Sequence, residues 1–344
     1  MNYIDMTLPE MKAELSAAGE KTFRAKQIYE WINVRNASSW EEMTNLPKSL
    51  RNSLSEKAEL HTPHTREVQI SRLDGTRKYL FEMHDGAFVE SVLMKYRHGN
   101  TVCISSQVGC RMGCAFCAST IGGLTRNLTA GEMLGQIYAI ERDLEERISN
   151  VVVMGTGEPL DNYDNLVRFI RMLSDRDGHN ISERNITVST CGIVPGIRKL
   201  RDENLMINLA LSLHAPNDEL RKTIMPVANA YSLNEVFSAL KDYYAVNRRR
   251  LTFEYSLMEG INDSDKCVRE LAERIKNLNC LVNLIPVNPV RERNFKAPDR
   301  TAAIAFQKKL ENYGINVTIR REMGRDIDGA CGQLRKRYLE TDEV

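Results

Sequence analysis

Residues 109–119 read GCRMGCAFCAS, and this stretch decides the fold. Cys110, Cys114 and Cys117 stand in a C-x3-C-x2-C run, with Phe116 just before the last of them. Cysteine thiolates are the usual ligands of iron–sulfur clusters. Three thiolates hold three irons of a four-iron, four-sulfur cluster and leave the fourth iron open to another ligand. Structural zinc is the main competitor, but its closed sites want four ligands, commonly as two CxxC-like pairs. No second pair stands near: Cys103 is the nearest other cysteine, and His214 is far along the chain. Unrelated buried thiols are the remaining alternative.

Outward from this loop the pattern is strand, then helix. Candidate strands are 101–105, 150–155, 185–190, 207–214, 251–258, 280–287 and 316–320. Segments of helical period lie at 129–147, 161–175, 195–204, 233–246, 264–278 and 299–312. Thr129 with Glu132 forms a capping-box start. The strands are apolar and β-branched, as in parallel sheets covered by helices. The fold class is α/β, with six or seven βα units in a complete or partial barrel and chemistry expected at the C-terminal strand ends. The unusual residues fall there: the cysteine loop, then GTGEP (155–159), Ser189, His214 and Asn288. GTGEPL could be a phosphate loop, but Leu160 stands where GxGxxG needs its third glycine.

Upstream, residues 1–62 have helical spacing, with Leu8, Met11 and Leu15 and then Ile28, Trp31 and Ile32. Lys21, Arg24 and Lys26 flank that second apolar face as either a solvated surface or an RNA-facing one. Residues 63–98 alternate in short runs broken at Asp74-Gly75 and Asp85-Gly86, which signals hairpins. The expected organisation is therefore a helical accessory domain (1–62), a hairpin linker (63–98), a core (99–335) and a tail (336–344).

The chain has 344 residues, 42% of them hydrophobic and 27% charged, which is ordinary for a globular protein. It has no run of about 18 apolar residues, and its polar N-terminus does not read as a signal peptide. A cytoplasmic location is expected. There, eight cysteines point to metal or redox chemistry rather than a disulfide framework. The net charge of +1 does not announce nucleic acid, so an RNA surface must come from charge segregation. Cys331, between Ala330 and Gly332, can be approached closely, although most free cysteines are inert packing groups. Cys191, Cys267 and Cys280 are read as such.

At this point the residues resemble a known family. The segments FRAKQIYEWI (23–32), FVESVLMKY (88–96), CISSQVGCRMGCAFCAST (103–120), GGLTRNLTAGEM (122–133), MGTGEPLDN (154–162), LSLHAP (211–216), LRKTIMPVA (220–228), NLIPVNPV (283–290) and GRDIDGACGQL (324–334) carry the likeness. They resemble the dual-specificity RNA methyltransferases of the RlmN type, radical enzymes that methylate C2 of adenine. The resemblance implies a partial (βα)6-type radical S-adenosylmethionine (SAM) barrel with a small N-terminal helical domain and a short β-hairpin linker. It implies one 4Fe-4S cluster on Cys110, Cys114 and Cys117. It also implies two SAM molecules per turnover, bound by Gly157, Glu158, Ser189, Ser212, Leu213, His214 and Asn288.

In such a family Cys331 carries the methyl group and Cys103 resolves a protein–RNA crosslink as a disulfide. Glu90 accepts a proton. The implied substrates are adenosine 2503 of 23S rRNA and adenosine 37 of tRNAs, with flavodoxin or ferredoxin as electron donor. A monomer without membrane association is implied. The sister family methylates C8 of the same rRNA adenosine; Pro159 and the GGLTRNL segment look like the C2 group. Many relatives have GMGEP where this chain has GTGEP. Candidate RNA-contacting basic groups are Arg248, Arg249 and Arg250; Arg291, Arg293 and Lys296; and Arg320, Arg321 and Arg325.

Overall fold

The computed structural model describes residues 2–58, 60–288, 290, 293–327 and 334. Cys331 and Arg291 lie outside the described residues.

The first helices are α1 (Leu8–Ala17), α2 (Phe23–Asn33) and α3 (Lys48–Lys57). Their periodic apolar residues, among them Met11, Leu15, Ile28 and Ile32, are buried. Three strands follow: β1 (His64–Ile70), β2 (Arg77–Glu82) and β3 (Phe88–Tyr96). Gly75 and Gly86 take φ +73° and +81° at the two turns, a conformation that costs glycine little.

From β4 (Gly99–Ile104) the barrel proper begins. A separate two-stranded sheet of β5 (Gln107–Gly109) and β6 (Leu124–Asn127) flanks the cysteine loop. The chain then runs α4 (Ala130–Leu144), β7 (Asn150–Val153), α5 (Tyr163–Leu173), β8 (Ile186–Thr190), α6 (Val194–Asp202) and β9 (Asn208–Ser212). It continues through α7 (Asp218–Ile224), α8 (Leu233–Asn247), β10 (Leu251–Leu257), α9 (Asp265–Ile275), β11 (Cys280–Pro286), α10 (Arg300–Glu311) and β12 (Val317–Ile319).

One ten-stranded sheet has the order β1-β2-β3-β4-β7-β8-β9-β10-β11-β12. Every neighbouring pair from β4 to β12 is parallel, and β1 to β4 pair antiparallel. With β1 and β12 as its edges, the sheet is a partial barrel of six βα units and a seventh parallel strand. The hairpin strands extend it: β3 pairs with β4 from Val92↔Cys103 to Tyr96↔Gly99.

The helical unit packs on α4 and α5. Tyr138 donates to Asn33 Oδ1 and Tyr29 to Asp175 Oδ2, both at 2.8 Å. Gly131 N–H donates to Asp5 Oδ1 at 2.6 Å. Among the described residues no helix is long and apolar enough to cross a membrane.

Candidate active site

The C-terminal strand ends carry two neighbouring chambers. The first, of about 260 Å³, is lined by Cys110, Cys114, Cys117, Gly157, Glu158 and Cys191, with Ser189, Ser212, His214 and Asn288 completing the wall. The strands explain this convergence. Ser212 ends β9 and Ser189 stands one residue before the end of β8, and their hydroxyls lie 3.2 Å apart. His214 and Asn288 follow β9 and β11 by two residues. Leu213 is buried in the core and contributes its N–H to the Glu254 carbonyl at 3.0 Å.

The cysteine loop is shaped by its own backbone. Gly109 has φ +78°, and a Cβ there would lie 2.1 Å from the Gly123 carbonyl oxygen. Cys110 N–H donates to that carbonyl at 2.9 Å, closing the loop's base. Thr120 Oγ1 donates to the carbonyls of Cys117 (2.9 Å) and Cys114 (3.2 Å). Burial, with Cys117 nearby, pushes the Cys110 thiol up to about 11; burial, then Cys117 and Cys110, push Cys114 up as well. The Cys110 and Cys114 thiols, desolvated beside Cys117, resist ionising without a counter-cation, so the donor set suits a polycationic iron–sulfur cluster. Among the described residues, no three His, Cys, Asp or Glu side chains converge on a single metal ion.

The GTGEP loop faces the cysteines. Gly157 takes φ +111°, and a Cβ there would approach Gln107 Cβ to 2.7 Å. Glu158 Oε2 accepts from Cys191 N–H at 2.7 Å and Oε1 from Leu160 N–H at 3.0 Å. Burial still pushes the Glu158 carboxyl above its ordinary value. A cationic amine in the chamber would restore its charge. Thr156 is buried and lies 3.4 Å from Ser119 Oγ. The methionine-to-threonine departure in this motif is therefore packed beneath the loop.

His214 sits in the left-handed region at φ +55°. Its Nδ1 accepts from Ser256 N–H at 2.8 Å, which leaves Nε2 to carry the ring proton. Burial, with Arg221 second, lowers its pKa to about 3, so the ring is a neutral donor. Phe116 meets it edge-on, with centroids 4.9 Å apart.

The second chamber, of about 390 Å³, shares Met154, Gly155, Val287 and Asn288 with the first. Glu90 and Cys103 line it, with Arg320, Arg321, Arg325 and Ile327 from the C-terminal segment. Register brings these residues together. Leu80↔Glu90 on β2–β3 and Val92↔Cys103 on β3–β4 place Lys78, Glu90 and Cys103 on one sheet face. Lys78 Nζ lies 3.1 Å from Glu90 Oε2, and both side chains are buried. Burial raises the Cys103 thiol, with Arg320 and Lys78 opposing. The C-terminal segment is tied down opposite: Asp326 accepts from Ser71 Oγ (2.6 Å) and Arg72 N–H (2.7 Å).

Arg293 reaches Thr120 Oγ1 at 3.5 Å beside the cysteine loop, so it lies at the reactive end. Arg248, Arg249 and Arg250 do not. They immediately precede β10 and share a cleft with Thr187 and Asn208, at the starts of β8 and β9. Strand direction therefore puts that triplet at the end opposite the chemistry, which corrects the expectation that it flanks the active face. Lys78, Arg221, Glu254 and Ser256 were missed in the sequence. Glu254 and Ser256 could have been found, since inward strand positions seldom carry polar groups without a role.

Comparison with known proteins supplies the family. The Radical SAM superfamily model matches residues 104–275, and the Ribosomal RNA large subunit methyltransferase N-terminal domain model matches residues 1–60. The chain is 58% identical over 331 residues to a "Probable dual-specificity RNA methyltransferase RlmN" of Lachnospira eligens, covering 96% of this chain and 95% of the relative. A relative of the same description from Lachnoclostridium phytofermentans is 59% identical, with 98% and 95% covered. A solved radical SAM methyltransferase from Sphaerobacter thermophilus superposes with a TM-score of 0.93 at 43% identity, covering 97% of this chain and 98% of the other.

Proposed function

The chain belongs to the RlmN-type RNA methyltransferases of the radical SAM superfamily, and from that premise we propose that it methylates C2 of adenosine 2503 in 23S rRNA and of adenosine 37 in tRNAs. One observation carries this reading. A three-cysteine chamber shares a wall of Met154, Gly155, Val287 and Asn288 with a chamber holding Cys103, Glu90 and a row of arginines. Such adjacency fits chemistry in which a radical made on one side is used on the other.

Cys110, Cys114 and Cys117 would hold the cluster. Gly157 and Glu158 would receive the SAM amine, and Ser189, Ser212, His214 and Asn288 its ribose, adenine and carboxylate. When bound, the cluster supplies the electron that cleaves SAM to a 5′-deoxyadenosyl radical. Cys331 attacks the methyl group of one SAM as a thiolate and becomes S-methylcysteine. A hydrogen atom from that methyl group would pass to the 5′-deoxyadenosyl radical, giving 5′-deoxyadenosine and a carbon radical that adds to C2, which has no lone pair to offer an electrophilic methyl donor. Glu90 would take the C2 proton, and the electron the adduct gives up would return to the oxidised cluster. Cys103 then attacks the Cys331 sulfur. The carbon–sulfur bond breaks toward the RNA, its carbon gains a proton, and a Cys103–Cys331 disulfide forms.

Cys331 stands four residues beyond Ile327, which lines the Cys103 chamber. That is a reach of at most about 14 Å. The adenine must leave its stack to enter, and Arg320 and Arg321 would hold its phosphates. A flavodoxin or ferredoxin would supply electrons to a cytoplasmic monomer.

The test is nucleoside mass spectrometry after anaerobic reaction of the reconstituted protein with SAM, reductant and unmodified 23S rRNA fragment. We expect 2-methyladenosine, absent from a Cys117→Ala control. 8-Methyladenosine would transfer the chain to the sister chemistry. Cofactor cleavage without any methyladenosine would remove the RNA assignment.

A further inference from the structure

Helix α7 stands directly behind the cysteine loop. Its Leu220 and Ile224 pack in one apolar cluster with Cys114, Cys191, Met225 and Met258. Ala115 N–H donates to the Ile224 carbonyl at 2.9 Å, which fastens the loop to the helix. Arg221, on the same helix, is fully buried, and it heads the largest fully buried side chains among the described residues.

The Arg221 guanidinium donates to three main-chain carbonyls: Leu213 (3.1 Å), Cys191 (2.6 Å) and Ser212 (3.1 Å). None of these neutralises it. Its Nη1 is buried without a hydrogen-bond partner among the described residues. A buried charge and an orphaned donor are each costly, and a fold retains them where an anion compensates. Burial lowers its pKa below the ordinary arginine value, and the sulfurs of Cys191 and Cys114, ahead of Asp218, oppose that shift. Cys191 joins the two sides of the chamber, since its N–H is held by Glu158 and its carbonyl by Arg221.

We propose that Arg221 is the built-in counter-charge of the iron–sulfur cluster and raises its reduction potential. A tris-thiolate cluster becomes one unit more negative on reduction, and a fixed cation in a low-dielectric wall favours that state. Arginine suits the task because it does not lose its proton in a protein. Arg221 is thus a positioning residue, acting on the potential through the wall behind Cys114. The inference rests on the reading that Cys110, Cys114 and Cys117 hold the cluster.

The test is an EPR-monitored redox titration of reconstituted wild-type, Arg221→Gln and Arg221→Lys proteins, with iron content and thermal melting as controls. In R221Q the potential should shift to a more negative value at equal iron content. In R221K it should stay near wild type at low pH and move negative as pH rises and the lysine deprotonates, a step absent from wild type. An R221Q potential equal to wild type would overturn the proposal. Should R221Q fail to fold, Arg221→Met takes its place, and a potential equal to wild type at equal iron content would overturn the proposal equally. A wild-type protein that takes up no iron would instead remove the cluster reading before Arg221 is in question.

Discussion

The two chambers are built differently. The cysteine chamber is assembled from short loops, each at the end of its own strand and each shaped locally. Gly109 and Gly157 occupy positions where a Cβ would collide, and Glu158 is held by two backbone N–H groups. The Cys103 chamber is assembled across strands. Its residues meet because β2, β3 and β4 pair in one register and because the C-terminal segment folds back onto the first hairpin. A chamber made of local loops announces itself in spacing. One made by pairing hides its partners tens or hundreds of residues apart.

This contrast separates what each chamber should lose when it is damaged. The largest effect belongs to the cysteine loop. Cys114→Ala should abolish both iron uptake and SAM cleavage, while leaving RNA binding in a filter or mobility assay near wild type. Loss of RNA binding as well would merge the two chambers into one unit.

Next in size is the buried pair. Lys78→Met removes the ion-pair partner of the buried Glu90 and should cost about 3–5 kcal/mol of unfolding free energy. The double variant Lys78→Met/Glu90→Gln should recover much of that loss in denaturant melts. An unaltered single variant would show that the pair is not holding the hairpin strands.

A pH-dependent effect, absent near neutrality, belongs to His214. Its folded pKa of about 3 lies below the ordinary histidine value near 6.5. The unfolded chain therefore binds a proton in that window that the folded chain does not. This share of stability is complete above about 6.5 and is lost as pH falls toward 3, at up to about 1.4 kcal/mol per pH unit. His214→Asn, which tolerates the left-handed backbone, should flatten the acid limb of stability against pH. An unchanged limb would mean that the ring is not held neutral.

The smallest effect is expected at the far end of the barrel. Arg320→Ala should weaken RNA binding and reduce its salt dependence by about one charge. Arg248→Ala with Arg250→Ala should leave both near wild type. A comparable loss from the second variant would place RNA along the opposite end as well.

The same division decides what could be read from the sequence. The strand–helix alternation was legible because apolar runs and capping residues are local, and each strand and helix expected after residue 100 has its counterpart. The cofactor chamber was legible too, since cysteine spacing, GTGEP and residues at strand ends are local marks. Lys78 was not: nothing near it in the chain signals a partner, and the register that brings it to Glu90 is a property of the pairing. Arg221 escaped for the reverse reason. In LRKTIMPVA it looks like one of two basic residues on a short amphipathic turn, and only the packing of α7 shows that it points inward. The arginine triplet misled because basic runs carry no label for which end of a strand they precede.

The central claim is that a radical generated in the cysteine chamber is spent, through covalent sulfur chemistry, in the chamber of Cys103. Its most direct test is anaerobic reaction of the Cys103→Ala variant with SAM, reductant and RNA, read by intact-mass and denaturing-gel analysis. The prediction is that SAM cleavage persists and a covalent protein–RNA species accumulates, because the step that releases the RNA is missing. Ordinary turnover to methylated adenosine without any adduct would contradict the claim.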